Sequence, residues 1–154
     1  MFAQCKFLKR LNIILDSEIN WFAELCAGIA CNETIEHLLL GFDRCGGVGV
    51  NAFQLLAPFL RNNLNLRALE IVGNYDPVPM DTKLEFLASA LEGRKSGKLQ
   101  KMCITWCTAS DEEAAALFES LGGQHNLRFL AFSANEIEMR ECEALGSLIE
   151  NPTC

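Results

Sequence analysis

No CxxC pair, no apolar run near membrane-span length and no GxxxxGKS/T loop occurs in these 154 residues, and each absence excludes a class of function. A helix crossing a bilayer needs roughly 20 consecutive apolar residues. The start, Met1 to Ile19, carries its basic residues inside and after its first apolar stretch and has no small-residue cleavage site, so no secretory signal is read. The glycine-rich stretch Cys45-Gly46-Gly47-Val48-Gly49-Val50 lacks a lysine that could reach a phosphate and is expected to be a turn. Charge is also scarce. Only 21% of residues are charged while half are hydrophobic, which excludes disorder. The net charge of −7 argues against nucleic acid or an anionic membrane as partner.

What the chain has in number is cysteine, eight in all. In a small secreted protein that count suggests a disulfide framework. Here the cysteines fall among apolar residues, as in Glu24-Leu25-Cys26-Ala27, so reduced, buried thiols in a cytoplasmic protein are expected. Cys103 and Cys107 have poor metal spacing, and His37 and His125 lie far away in sequence, so neither a metal nor a cofactor is expected. The sequon Asn32-Glu33-Thr34 carries no weight without a secretory signal.

The main finding is a repeat. Five segments align: LKRLNIILD from Leu8, IEHLLLGFD from Ile35, LRALEIVGN from Leu66, LQKMCITWC from Leu99 and LRFLAFSAN from Leu127. Each is apolar at its first, fourth and sixth positions, and the starts lie 27, 31, 33 and 28 residues apart. Apolar pairs four apart follow in the same frame: Leu25/Ile29, Leu56/Leu60, Leu87/Leu91, Leu117/Leu121 and Leu145/Ile149. Positions two apart share a strand face, and positions four apart share a helix face. Ser110-Asp111-Glu112-Glu113 reads as a helix start. Trp21, Phe22, Phe53, Phe59, Phe86 and Phe118 lie in the helical segments and are expected in the core. A strand-helix unit of this size cannot bury its own apolar face, so stacking is required. The expected fold is an α/β solenoid, one domain over 1–154 with repeats starting near 8, 35, 66, 99 and 127.

The pattern resembles the leucine-rich repeat family, in particular its ribonuclease-inhibitor-like class of long, helical repeats. The family frame LxxLxLxxN/C has its ninth position at Asp16, Asp43, Asn74, Cys107 and Asn135, where asparagine or cysteine is preferred. The resemblance implies a right-handed horseshoe segment with a concave parallel sheet and outer helices. Neither terminus has the polar outer face of a capping repeat, so a segment of a longer solenoid is expected, and open ends also leave room for self-association.

The family's usual binding surface is the concave face. Its candidate outward positions are the third, the fifth and those just after the sixth. They are Arg10, Asn12, Ile14 and Leu15; His37, Leu39, Gly41 and Phe42; Ala68, Glu70, Val72 and Gly73; Lys101, Cys103, Thr105 and Trp106; Phe129, Ala131, Ser133 and Ala134. From these, Arg10, His37, Leu39, Phe42, Glu70, Lys101, Trp106 and Phe129 are the candidate partner contacts, since aromatics and arginine dominate interface energies. Positions two to eight of the repeats hold five basic and two acidic residues, a balance of +3. Eight basic and eighteen acidic residues remain elsewhere, a balance of −10. A mildly basic strand face suits an acidic or mixed protein surface. The insertion Tyr75 to Asp81, stiffened by Pro77 and Pro79, is expected to be a plain length variation, the alternative being a loop over one rim that carries partner contacts.

No catalytic constellation emerges. The pairs Glu112/Glu113 and Glu141/Glu143 are placed on solvent-facing helices, and no cysteine has a histidine set beside it by the repeat. The expected function is a non-enzymatic, intracellular protein-interaction scaffold. Two alternatives are a regulator of a small GTPase, resembling the Ran GTPase-activating proteins, and a purely structural segment of a larger protein.

Overall fold

Every segment with the one-four-six apolar pattern becomes a short strand. In the computed structural model these are β1 Arg10–Leu15, β2 His37–Phe42, β3 Ala68–Val72, β4 Lys101–Thr105 and β5 Phe129–Ser133. A helix follows each: α1 Phe22–Ala30, α2 Ala52–Asn62, α3 Leu84–Glu92, α4 Asp111–Leu121 and α5 Met139–Glu150. The structure describes residues 5–15, 21–42, 52–73, 84–92, 94, 97–105, 110–133 and 139–150. The ninth positions of the frame, the Cys45–Val50 turn and the Tyr75–Asp81 insertion lie outside those residues.

The five strands form one parallel sheet in chain order, β1-β2-β3-β4-β5. Its register holds the repeat frame in phase, so the third positions Arg10, His37, Ala68, Lys101 and Phe129 form one row across the sheet. Each strand is entered in the same way. Two successive N–H groups donate to the second-position carbonyl of the previous repeat: Glu36 and His37 to Lys9, Arg67 and Ala68 to Glu36, Gln100 and Lys101 to Arg67, and Arg128 and Phe129 to Gln100. Insertions of different length between repeats therefore leave the sheet unslipped. A one-residue slip would turn the apolar fourth and sixth positions to solvent.

The helices stack against one another in order, and the core lies between them and the sheet. In the three inner repeats the first, fourth and sixth positions are all buried, for example Leu66, Leu69 and Ile71. In the outer two, Leu11, Ile13, Leu130 and Phe132 are only partly buried, because each has a neighbouring repeat on one side. The helix anchors follow the same rule. Four pairs are buried, but in the last Leu145 is half-buried and Ile149 is 75% exposed, with Leu148 supplying the buried contact. Phe22, Phe53, Phe59 and Phe118 are in the core, Phe86 is partly buried, and Trp21 is 48% exposed at the start of α1. The Ser110 start carries a capping box: its hydroxyl accepts from the Glu113 N–H at 3.4 Å, and the Glu113 carboxylate accepts from the Ser110 N–H at 3.1 Å. Gly122 ends α4 in the right-handed region, so its role there is not a left-handed cap.

A ladder of side-chain amides crosses the helix-to-strand turns. Asn32, Asn63 and Gln124 each sit three residues before a repeat start, and all are buried. The Asn63 amide donates to the carbonyls of Asn32 at 3.0 Å and Ile35 at 2.8 Å, and its oxygen accepts from the Asn65 N–H at 2.9 Å. Gln124 donates to the Leu91 carbonyl at 2.9 Å, and the Asn32 oxygen accepts from the N–H groups of Thr34 and Ile35. The residue just before each start adds a second rung: Thr34 donates to the Leu8 carbonyl, Asn65 to Glu33, and Asn126 to Gly97. These bonds satisfy backbone groups that the sheet and helices leave over. Asn32, unremarkable as a sequon, is a structural residue.

The turn between α3 and β4 departs from this pattern. It carries two extra residues, and Arg94 is 1% exposed in place of an amide. Its Nε, Nη1 and Nη2 are buried with no hydrogen-bond partner among the described residues. Its guanidinium packs on Gly97, where a Cβ would stand 3.0 Å from Nε and 3.1 Å from Nη2. Burial lowers its pKa from the ordinary arginine range to about 10.

Candidate protein-binding face

The candidate site is the sheet face turned away from the helices. Strict two-residue alternation decides which side chains reach it. The third, fifth and seventh positions point out, and the fourth, sixth and eighth point in. Arg10 and Phe129 are exposed on this face, and His37, Leu39, Glu70 and Lys101 are half-buried. Ile14 at 73% and Val72 at 36% add exposed apolar surface from the seventh position.

The eighth position corrects the sequence reading. Phe42 is 2% exposed and Leu15 fully buried, because the alternation continues one step beyond the sixth position and sends both side chains inward. Phe42 meets Phe22 of α1 edge-on, with ring centroids 5.9 Å apart. It is a core residue and no partner contact. Ala68, at the third position, is also buried. Trp106 lies outside the described residues.

Two groups of the remaining residues come together. On the C-terminal side Glu70, Lys101 and Phe129 stand on three successive strands. The Lys101 ammonium pairs with the Glu70 carboxylate at 3.1 Å and lies 5.5 Å from the centre of the Phe129 ring. The Glu70 hydrogen bond holds the Lys101 pKa above its ordinary value. Cys103, next to this pair, has its thiol pKa raised by burial, with the Lys101 charge opposing. On the N-terminal side Arg10 and His37 are register partners, and Leu39 lies on the same strand as His37. At the strand entries beside these groups, the Glu36 carboxylate contacts Lys9 at 2.7 Å and Arg67 at 3.3 Å. The Lys9 hydrogen bond chiefly holds the Glu36 pKa below its ordinary value, helped by the charges of Lys9, Arg67 and His37.

The helical side has a different character. One groove between α3 and α4, of about 410 Å³, is lined by Glu85, Glu92 and Glu119 beside alanine, serine and glycine, and a similar one follows between α4 and α5. A mainly apolar hollow of about 440 Å³ lies beside β5 and α5, between Leu127, Leu130, Phe132, Leu145, Leu148 and Ile149, with Arg128 as its one charged lining residue. The thiols are less uniform than expected. Cys26 is buried, with its pKa raised to about 12 by desolvation, whereas Cys5 and Cys31 are exposed. Among the described residues no group of histidine, cysteine and carboxylate side chains is placed to hold a metal. No described helix is long and apolar enough to cross a membrane.

Sequence reasoning missed Arg94 and the amide ladder, although amides three residues and one residue before the starts were visible in Asn63-Leu64-Asn65 and Gln124-His125-Asn126. It also passed over Phe7, 93% exposed, and Leu64, 43% exposed, which lie in turns without a periodic signal.

No protein-family model and no curated protein matches the sequence. Among solved structures, the C-terminal domain of Caenorhabditis elegans tropomodulin is similar over 97% of this chain and 89% of that one, at a TM-score of 0.62 and 14% sequence identity. At that identity the likeness concerns the fold, and it agrees with the repeat: this chain is an α/β solenoid of the leucine-rich-repeat kind.

Proposed function

We propose that this chain is a non-enzymatic protein-binding module of the ribonuclease-inhibitor-like class, acting inside the cell and taking a partner protein on its concave sheet face. One observation carries the reading. The in-phase register gathers exposed apolar side chains, Ile14, Val72 and Phe129, with a row of charged ones on a single continuous face. Aromatic and arginine anchors in such a setting supply most of the energy of a protein interface. Phe129, half-exposed with a lysine over its ring, is the anchor best placed for this.

The test is site-specific photo-crosslinking in the source cells. A photoreactive phenylalanine replaces Phe129 or Val72 on the sheet face, or Glu85 on the helical side. Protein adducts are expected from 129 and 72 and not from 85. Adducts from 85 alone would refute the reading. As a non-enzyme, the chain is also expected to leave the GTP turnover of small GTPases unchanged.

A further inference from the structure

We infer that the rim formed by the helix-to-strand turns is a second interaction surface, and that it takes an acidic protein segment bearing apolar side chains. All five strands are parallel, so every strand start lies on one edge of the sheet. The turns that feed those starts are stitched into one continuous rim. Thr34 donates to the carbonyls of Cys5 and Leu8, Asn65 to that of Glu33, Asn126 to that of Gly97, and Lys98 to the Asn65 amide oxygen. Five turns, one for each strand step of about 4.8 Å, give the rim a length of about 19 Å.

Its charge runs against that of the chain. Lys6, Lys9, Arg67, Lys98 and Arg128 are exposed along it, against Glu33 and Glu36, a balance of +3. The whole chain carries −7, so everything else carries −10. The segments 16–21, 43–51, 73–83, 106–110 and 134–138, through which the chain leaves the strands, hold seven acidic and two basic residues. The cations of the rim are also poorly compensated. Among the described residues Glu36 is the one carboxylate paired with them, shared by Lys9 and Arg67. Lys6, Lys98 and Arg128 have no ion-pair partner there. Arg128, at the last turn, lines the hollow beside β5 as well.

Two apolar side chains stand in the same turns, Phe7 at 93% exposure and Leu64 at 43%. They set apolar anchors beside the cations, a mixture that protein interfaces use. Nucleic acid and an anionic lipid surface fit less well. Glu33 and Glu36 belong to the turn between those of Phe7 and Leu64, and both would be pressed against an unbroken array of phosphates. A protein segment can set an uncharged residue there and its carboxylates over the next three turns, where Arg67, Lys98 and Arg128 follow one per turn. This surface goes beyond the concave-face reading and does not depend on it.

The experiment pans a phage-displayed library of random 16-residue peptides on the full chain, and measures the enriched peptides by fluorescence anisotropy as synthetic probes. Winners are expected to be rich in aspartate or glutamate, with at least one aromatic or aliphatic residue. Their binding should weaken about tenfold in the variant Lys6→Glu, Lys98→Glu, Arg128→Glu, and it should fall with added salt. The variant Phe7→Ala, Leu64→Ala should cost several-fold. All five side chains are exposed. If the charge reversal alters the circular dichroism spectrum, the milder Lys6→Gln, Lys98→Gln, Arg128→Gln is read instead, with an expected loss of about threefold. No enrichment, neutral or basic winners, or winners indifferent to both charge variants overturn the inference. So does a 20-nucleotide single strand, or a phosphatidylserine vesicle, that displaces the peptides at an equal concentration of charge. The sheet-face variant Val72→Ala, Phe129→Ala separates the two surfaces. Unchanged peptide binding in it supports the rim. Lost binding in it, with the rim variants unaffected, leaves the concave-face reading standing and overturns this inference.

Discussion

Replacing Arg94 by methionine is expected to make the protein more stable. The guanidinium is 1% exposed, and three of its nitrogens have no acceptor among the described residues. Desolvation lowers its pKa from the ordinary arginine range to about 10, which corresponds to roughly 3 kcal/mol held against the charged form. Methionine keeps most of the stem's packing and removes the charge. Substituting buried charges by apolar groups of similar volume has a typical gain of about 1–4 kcal/mol. We expect about 2 kcal/mol, which at a urea slope of about 2 kcal/mol/M raises the unfolding midpoint by about 1 M. The pH dependence has a definite sign. The folded pKa lies below the unfolded one, so the destabilisation is complete below about pH 10 and fades as the pH climbs from there towards the ordinary arginine value. The advantage of the variant should shrink over that range. Urea titrations followed by far-ultraviolet circular dichroism at pH 7.5 and pH 10.5 measure both effects. A midpoint lowered by 1 M or more in the variant would refute the reasoning, because it would mean that the guanidinium is well paired in solution.

Four further outcomes follow from the geometry. Gly97→Ala should cost about 1 kcal/mol or more in the native chain, because its Cβ would press on the guanidinium at 3.0 Å, and much less in an Arg94→Ala background. Asn63→Ala should destabilise by about 2–4 kcal/mol in thermal unfolding, and Asn63→Asp by more, since it turns a buried anion onto the carbonyls of Asn32 and Ile35. By carbon-13 NMR titration, the Glu36 carboxyl should titrate below its ordinary value and move upward in Lys9→Ala. The ion pairs it forms are complete above the ordinary value and are lost as the pH falls through the lowered one. In alkylation at pH 8 read by peptide mass, Cys31 and Cys5 should react within minutes and Cys26 only on unfolding, because its thiol is buried and its pKa is raised to about 12.

Much of the architecture was legible because two periods run through one frame. Leu69 and Ile71, two apart, had to share a strand face, and Leu87 and Leu91, four apart, a helix face, and all four are buried. The eighth position was misread because nothing local marks where a strand's alternation stops; Phe42 simply continues it. The end effects at Ile149 and Leu11 depend on which repeat lies alongside, a tertiary condition that a single repeat's residues do not encode. On the candidate face the row containing Arg10, His37, Lys101 and Phe129 followed from the frame alone. That Glu36 and Glu70 cancel charge in its middle did not, because it depends on rotamers reaching across neighbouring strands. Arg94 was illegible for a similar reason: arginine is ordinarily a surface residue, and only the crowding around the longer turn places it inside.

The amide ladder also has a direction. Asn63 reaches back to Asn32 and Ile35, Asn65 to Glu33, Thr34 to Leu8, Gln124 to Leu91 and Asn126 to Gly97; in each case the later turn supplies the hydrogen and the earlier one the lone pair. The strand entries obey the same polarity, with the N–H groups of each repeat closing on the carbonyl of the one before. At its turns and strand entries a newly made repeat thus finds its acceptors waiting on chain already synthesised, while a few bonds, such as Gly73 N–H to the Thr105 carbonyl, wait for the repeat that follows. At a few residues per second, a ribosome could lay down this protein like courses of brick, each bonded to the course beneath before the next is set.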